Sequence, residues 1–280
     1  MIQASQSGCA CTGRCCRSAV VNVCGYDVWR LASTQRLRPE QFTVVFPHET
    51  LACDSFLLGV DLPPFGLALD KRGRGRQGQF RANSPCIFLI GLQDGSERCG
   101  MYADRPLACQ AYPMSIWGGE VYQRRDVLCP ANSWRLDAAQ QANWRGMFKR
   151  LRMHFDVYAD VVARWNARVT AAGPGARFDA REFFGYLMNV YDRLERHSSS
   201  VGADAIDLVI TSWPELPRAQ PDVGIANRLG PSDETSPWLA YLRSAREIID
   251  GFYPDIPSQP FPACWSGIVG EPQGAPNASA

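Results

Sequence analysis

Two groups of cysteine residues are the part of this sequence whose residue types and spacing could do chemistry. The first group places four thiols within eight residues: Cys9, Cys11, Cys15 and Cys16. The second group is spread over a longer stretch: Cys86, Cys99, Cys109 and Cys129. Clustered cysteine thiolates are the ligands of zinc sites and iron–sulfur clusters. We therefore predict that these eight cysteines are metal ligands.

The identity of the metal is only partly constrained by this pattern, because tetrahedral thiolate sites suit both zinc and iron–sulfur clusters. Eight thiols exceed the four ligands that one zinc ion takes. The adjacent pair Cys15 and Cys16 also suits a cluster better than a mononuclear site. Both features favour an iron–sulfur cluster over zinc, and they leave open whether there is one site or two. For the first group alone, a flexible and oxidisable tail is the alternative interpretation.

The segment between Cys86 and Cys99 predicts a β-hairpin that would position the second group. An apolar run meets the turn signal Asp94-Gly95 and is followed by a second short run. The two arms of a hairpin lie about 5 Å apart. Cys86 and Cys99, on either side of the turn, could therefore share one ion.

The backbone near the other thiols carries two further signals. Gly100, directly after Cys99, allows a positive φ, which lets backbone amides turn toward the thiolate. The chain then contains Pro106 and Pro113, and each proline disfavours the helical conformation in the residue before it. We therefore expect Cys109 to lie in a loop that is held away from helical structure.

The sequence after Asp137 predicts long helices. Apolar residues recur in alternating four–three spacing from Trp144 to Val169, which gives one apolar stripe along about eight helical turns. Asp179 and Glu182 form the signature of a capping box that begins a second helix. Residues 237–251 predict a third helix.

These patterns predict an α+β fold, in which a small irregular cysteine-rich core with a short β-hairpin precedes long packed α-helices. We assign residues 1–135 to a cysteine-cluster metal-binding domain. Residues 136–200 would form a helical hairpin packed on that domain. Residues 201–280 would be a loosely structured extension with one helix and a disordered tail.

Composition and charge narrow the classes of partner and compartment. The formal net charge is +1, which gives no bulk attraction to nucleic acid and disfavours it as a partner. No apolar run approaches the roughly 18 residues that span a bilayer, and the first nine residues lack the features of a signal peptide. We therefore expect a cytoplasmic protein with no membrane partner, and the sequence identifies no protein partner. An odd count of 11 cysteines in a reducing compartment argues for metal binding over disulfides.

Other candidate sites in the sequence are interpreted as structural. Gly73, Gly75 and Gly78 complete a literal G-x-G-x-x-G, but the residues that follow do not begin a helix, so we reject a nucleotide site. Cys24 is interpreted as a small buried residue and His154 as a packing residue. No acid–base catalytic site can be assigned.

The cysteine groups and their flanking residues resemble the YkgJ-type cysteine-cluster family, also called the CxxCxxCC or zinc- or iron-chelating domain family. Seven pieces in order carry this resemblance: Cys15-Cys16-Arg17, Tyr26-Asp27-Val28-Trp29-Arg30-Leu31, Cys86-Ile87-Phe88-Leu89, Cys99-Gly100-Met101-Tyr102, Arg105-Pro106-Leu107-Ala108-Cys109, Tyr112-Pro113 and Cys129-Pro130. Trp165-Asn166 is similar to the family as well. The spacing of the first cysteines departs from the family pattern, so either Cys9 or Cys11 fills the family position.

The resemblance implies a cytoplasmic metal-binding protein that holds an iron–sulfur cluster or zinc through its clustered thiolates. Some relatives are linked to flagellin lysine N-methylation, so a cluster-dependent protein lysine N-methylase-like enzyme is one alternative. A structural zinc module that only holds the fold together is the other alternative.

Overall fold

Short antiparallel strand pairs and longer helices make up the part of the chain that the computed structural model describes, residues 13–45, 56, 58, 66–73, 84–117, 120–124, 134, 136–213 and 236–257. The α-helices are α1 (Arg14–Ser18), α2 (Gly25–Gln35), α3 (Leu107–Ala111), α4 (Ala138–Ala171), α5 (Ala180–Val201), α6 (Ala203–Ser212) and α7 (Pro237–Asp250). The strands are β1 (Thr43–Val45), β2 (Leu67–Leu69), β3 (Leu89–Gly91), β4 (Glu97–Cys99), β5 (Met114–Trp117) and β6 (Glu120–Gln123). This architecture confirms the predicted α+β class.

The strands form three separate antiparallel pairs, β1 with β2, β3 with β4, and β5 with β6. A single two-stranded ribbon is marginally stable in water and needs other elements to pack against. The β1–β2 pair meets this need by burial, since Val44, Ala68 and Leu69 are all shielded from solvent. The pairs are therefore local ribbons attached to a helical core.

Helix α4 is the longest element, and its apolar stripe is the centre of the core. Asp137 caps its first turn by accepting a hydrogen bond from the N–H of Gln140 at 2.9 Å. The predicted stripe is buried along most of its length: Leu151, Phe155, Tyr158, Val162, Trp165 and Val169. Helix α5 begins with the predicted capping box of Asp179 and Glu182 and contributes its own buried face to the same core. His154 stacks on Tyr26 with ring centroids 3.8 Å apart, as expected of a packing residue.

Helix α2 links the cysteine-rich half of the chain to α4 and α5, because its backbone at Gly25 packs closely against both helices. A Cβ atom at Gly25 would lie 2.4 Å from the ring of Tyr191 on α5 and 2.8 Å from the ring of Tyr158 on α4. Only a glycine permits that separation. The buried residues of α2, α4 and α5 accordingly belong to one hydrophobic cluster.

The C-terminal helices are attached to α4 by polar contacts as well as by packing. Arg164 is buried, and its guanidinium donates hydrogen bonds to the carbonyl oxygens of Asp250 at 2.9 Å and Ile256 at 2.7 Å. Arg246 on α7 pairs with Asp160 on α4 at 3.3 Å. Helix α6 includes Ile206, which packs against the same hydrophobic cluster. Among the described helices, none is both long enough and apolar enough to cross a bilayer.

Candidate metal centre

Helix α1 presents the first pair of candidate ligands, Cys15 and Cys16. Gly13 precedes the helix with a φ of 69°, a conformation that favours glycine. The two Sγ atoms lie 3.9 Å apart. The hydrogen bond from Cys16 lowers the pKa of Cys15 to about 6, and the same interaction raises the pKa of Cys16. The lowered pKa favours the thiolate form of Cys15, which is the form of cysteine that binds metal.

Helix α1 is held against the β3–β4 hairpin by side-chain and backbone contacts. Arg17 forms a two-point ion pair with Glu97 on β4, in which its Nε lies 2.9 Å from Oε2. A Cβ atom at Gly13 would lie 2.9 Å from the Cβ of Glu97, so the glycine allows this approach. The backbone N–H of Cys86 also donates to the carbonyl oxygen of Cys16 at 2.7 Å. The two cysteine groups are thereby brought side by side.

The predicted hairpin is present, but Cys86 lies outside its ladder. Leu89, and not Cys86, is the residue opposite Cys99. Cys86 instead forms an isolated antiparallel bridge with Lys71, and its carbonyl oxygen accepts the N–H of Leu89 in a turn at 3.0 Å. The expectation that Cys86 and Cys99 flank the turn is correct, while their direct pairing across the hairpin is not found.

The prediction that Cys109 lies in a non-helical loop is wrong, because Cys109 lies on the short helix α3. The residues that precede the two prolines, Arg105 and Tyr112, are extended, with ψ angles of 140° and 136°. Proline restricts only its predecessor, so the residues between the two steps were free to form a helical turn. The carboxylate of Asp27 on α2 caps this turn by accepting the N–H of Leu107 at 2.9 Å.

Gly100 does not use the positive φ that glycine allows, since it is not among the positive-φ glycines of the described residues. A small residue is required at position 100 for a different reason, the closeness of the neighbouring backbone. A Cβ atom at Gly100 would lie 3.2 Å from the carbonyl oxygen of Phe88, and the N–H of Gly100 donates to that same oxygen at 2.8 Å. The glycine thus lets the chain return closely to the hairpin just after Cys99.

The electrostatics of the thiols show that both groups occupy one neighbourhood. Burial raises the pKa of Cys109, and charge on Cys86, on Asp27, on Cys99 and on Cys15 raises it further. Burial likewise raises the pKa of Cys86, to which charge on Cys99 adds. For Cys16, charge on Cys86 and Cys99 adds to the hydrogen bond and burial that raise its pKa.

Five candidate ligands therefore lie within electrostatic reach of one another: Cys15, Cys16, Cys86, Cys99 and Cys109. Within the described ranges, no three Cys, His, Asp or Glu side chains meet in the arrangement of a site for one ion. Three further predicted ligands, Cys9, Cys11 and Cys129, lie outside the residues that the structure describes. Cys24 is fully buried at the start of α2 with its Sγ 3.4 Å from Asp27, which confirms its interpretation as a small buried residue.

Residues 7–130 match the sequence model of the CxxCxxCC family, described as a putative zinc- or iron-chelating domain. This segment, which we call the CxxCxxCC domain, is similar to that family. All eight predicted ligands lie within it, and the resemblance stated from the sequence is confirmed for this range. The match supports metal binding by zinc or iron and names no reaction. No curated protein and no solved structure matches the chain.

The CxxCxxCC domain also depends on residues that the sequence did not single out as part of the site. Asp27 lies in one of the segments that carry the family resemblance, and its carboxylate links α2 to the helix of Cys109. Lys71 is one of only two lysines in the chain. Its position beside Cys86 could not be predicted from the sequence, because it depends on a backbone bridge between two segments. The ion pair between Arg17 and Glu97 likewise could not be predicted from the sequence.

Proposed function

We propose that the two cysteine groups of the CxxCxxCC domain hold one metal centre and that its occupant is an iron–sulfur cluster. The candidate ligands among the described residues are Cys15, Cys16, Cys86, Cys99 and Cys109. The observation that carries this proposal is the direct contact between the groups, in which the N–H of Cys86 donates to the carbonyl oxygen of Cys16.

The charges around the thiols fit a thiolate-bound metal. Burial raises the pKa of Cys99, and the guanidinium of Arg105 opposes that rise. The hydrogen bond to Cys16 is the main cause of the lowered pKa of Cys15, and Arg105 adds to it. Lys71 and Arg72 act in the same direction on the pKa of Cys86. Nearby cations stabilise thiolates, which are the metal-binding form of cysteine. The site is therefore suited to a group that brings several thiolates together.

Two observations support a cluster over a single zinc ion. Five thiols lie within electrostatic reach of one another, whereas a structural zinc site uses four ligands. Among the described residues, no three of these side chains meet in the arrangement of a site for one ion, so we infer a group larger than a single ion. When bound, an iron–sulfur cluster would supply electron transfer or structural cross-linking, and this chain's thiols would hold it in place.

The state of the cysteines supports a reducing compartment. All six cysteines in the described residues are free thiols: Cys15, Cys16, Cys24, Cys86, Cys99 and Cys109. Free thiols near one another persist in reducing compartments. We therefore propose that the protein acts in the cytoplasm.

Anaerobic purification followed by analysis of iron, zinc and acid-labile sulfide tests the proposal. We expect a brown protein that contains iron and sulfide in similar amounts. Zinc without sulfide would contradict the cluster while preserving the metal centre. A full-length protein that binds neither metal under reducing conditions would overturn the metal centre itself.

A further inference from the structure

Lys71 is a buried cation with no described counter-charge. Its relative exposure is 6%, and its ammonium donates one described hydrogen bond, to the carbonyl oxygen of Arg17 at 2.7 Å. No carboxylate lies within ion-pair distance of Lys71 in the part of the chain that the structure describes. A buried charge is strongly unfavourable unless it is paired. Something other than a described carboxylate must therefore balance it.

The candidate thiolates are the groups placed to do so. Lys71 faces Cys86 across an antiparallel bridge, and its hydrogen-bond acceptor belongs to the residue directly after Cys16. The ammonium thus lies where one cysteine segment meets the other. In keeping with this position, burial lowers the pKa of Lys71, and charge on Cys86 and Cys16 opposes that lowering.

We propose that Lys71 is the internal counter-cation of the metal centre and positions it by donating N–H groups to the metal-bound thiolates of Cys16 and Cys86. This inference rests on the proposed function. An ammonium has three donors, and the carbonyl of Arg17 takes one, so two remain for sulfur acceptors. Interactions of this kind with metal ligands tune metal affinity.

The neighbouring arginines do not fill this role equally well, because their guanidinium groups have other partners. Arg72 donates to the carbonyl oxygens of Ile87 at 3.0 Å and Leu89 at 2.7 Å. Arg105 stacks on the ring of Tyr102 at 3.8 Å and donates to its carbonyl oxygen. Lys71 is the buried cation of the three.

The only other lysine in the sequence, Lys149, is a matched control, because its ammonium also donates a hydrogen bond to a backbone carbonyl oxygen. Lys149 on α4 donates to the carbonyl oxygen of Thr211 at 2.7 Å. Lys71→Leu, Lys71→Arg and Lys149→Leu should be compared in the full-length protein. Co²⁺ is the probe, because its absorption reports thiolate ligation and its affinity can be measured by competition with a chelator.

We expect Lys71→Leu to retain the thiolate–cobalt spectrum but to bind Co²⁺ about 10- to 100-fold more weakly, as is typical when a residue behind the ligands is lost. Lys71→Arg should recover most of the affinity, and Lys149→Leu should match the wild type. Without metal, Lys71→Leu should unfold at an equal or higher denaturant concentration, because the variant removes an uncompensated buried charge.

Two results would overturn this role and leave the metal centre standing. One is unchanged Co²⁺ affinity in Lys71→Leu. The other is a metal-free Lys71→Leu protein that is less stable than the wild type, or that does not fold, which would assign Lys71 a structural role. A wild-type protein that shows neither thiolate–cobalt absorption nor bound iron or zinc after anaerobic purification would instead overturn the proposed function, and the role of Lys71 with it.

Discussion

The backbone N–H of Cys86 donates a hydrogen bond to the carbonyl oxygen of Cys16 at 2.7 Å, which joins the two cysteine groups of the chain. Helix α1 is too short to be stable alone, so its position depends on such contacts. Cys15 and Cys16 are consequently held beside Cys86, Cys99 and Cys109. A metal bound there would close a long loop of the chain, and closure of long loops stabilises the folded state most.

Replacement of a candidate ligand should separate metal-binding cysteines from structural ones. Cys99→Ser is expected to lower both bound metal and solubility, because metal binding and folding are coupled in thiolate sites. Cys24→Ser is the matched control, since Cys24 begins α2 and serine is favoured at that helix position. Metal analysis of both purified variants checks this, and equal metal content in the two would contradict the assignment of Cys99.

The ion pair between Arg17 and Glu97 should help to hold α1 on the hairpin. Glu97→Arg is expected to weaken metal binding severalfold, since it places two cations together at this contact. The double variant Arg17→Glu with Glu97→Arg should recover affinity in a chelator competition assay. The pair is partly exposed, with relative side-chain exposures of 41% and 26%, so added salt should diminish the difference. No recovery in the double variant would show that the pair does not position α1.

How far the sequence could predict this structure depends on the range of each interaction. The capping box at Asp179 and Glu182 and the stripe of α4 are local or periodic patterns, and both were predicted correctly. The hairpin turn at Asp94-Gly95 was also predictable, because its signal is a dipeptide. These features need no knowledge of the rest of the fold.

The errors and omissions in the site arise from tertiary contacts. Cys109 lies on a helix because a carboxylate from another helix, Asp27, caps the first turn. Gly100 is required by the nearby carbonyl of Phe88 and not by its own φ. Lys71 lies beside Cys86 because a backbone bridge joins their two segments. None of these relationships has a signature in neighbouring residues.

The close approach of α2 to the helical core gives a test of packing. Gly25→Ala is expected to destabilise the protein by about 1–3 kcal/mol, the usual range for overpacking a core, because the new Cβ would meet the rings of Tyr191 and Tyr158. Gly185→Ala on α5 is the control, since nothing lies within 4 Å of its added Cβ. That variant should be stabilised by up to about 1 kcal/mol. Denaturant unfolding of both variants measures the difference, and equal stability would contradict the packing of α2.

The buried carboxyl of Asp160 should make stability depend on pH. Burial raises the pKa of Asp160 from 3.8 to about 7, so the folded protein binds a proton there that the unfolded chain releases. The resulting stabilisation is complete below pH 4 and is lost as the pH rises to about 7, by up to about 4 kcal/mol. The charged groups that face it are Arg246, Asp156, Asp250 and Arg164.

Asp160→Asn isolates this contribution from the other titrating groups. We expect the variant to lose less stability than the wild type between about pH 4 and pH 7, measured by denaturant unfolding at several pH values. Parallel pH profiles of the two proteins would show that Asp160 does not titrate in this range.

The central claim is that the two cysteine groups form one metal centre, and paired removal of ligands tests it most directly. Metal content per chain should be measured for Cys15→Ser/Cys16→Ser and for Cys86→Ser/Cys99→Ser, each purified anaerobically beside the wild type. A shared centre predicts that either double variant loses the whole metal complement. Retention of a fraction by each variant, with the two fractions adding up to the wild-type content, would contradict the shared centre and show two separate sites.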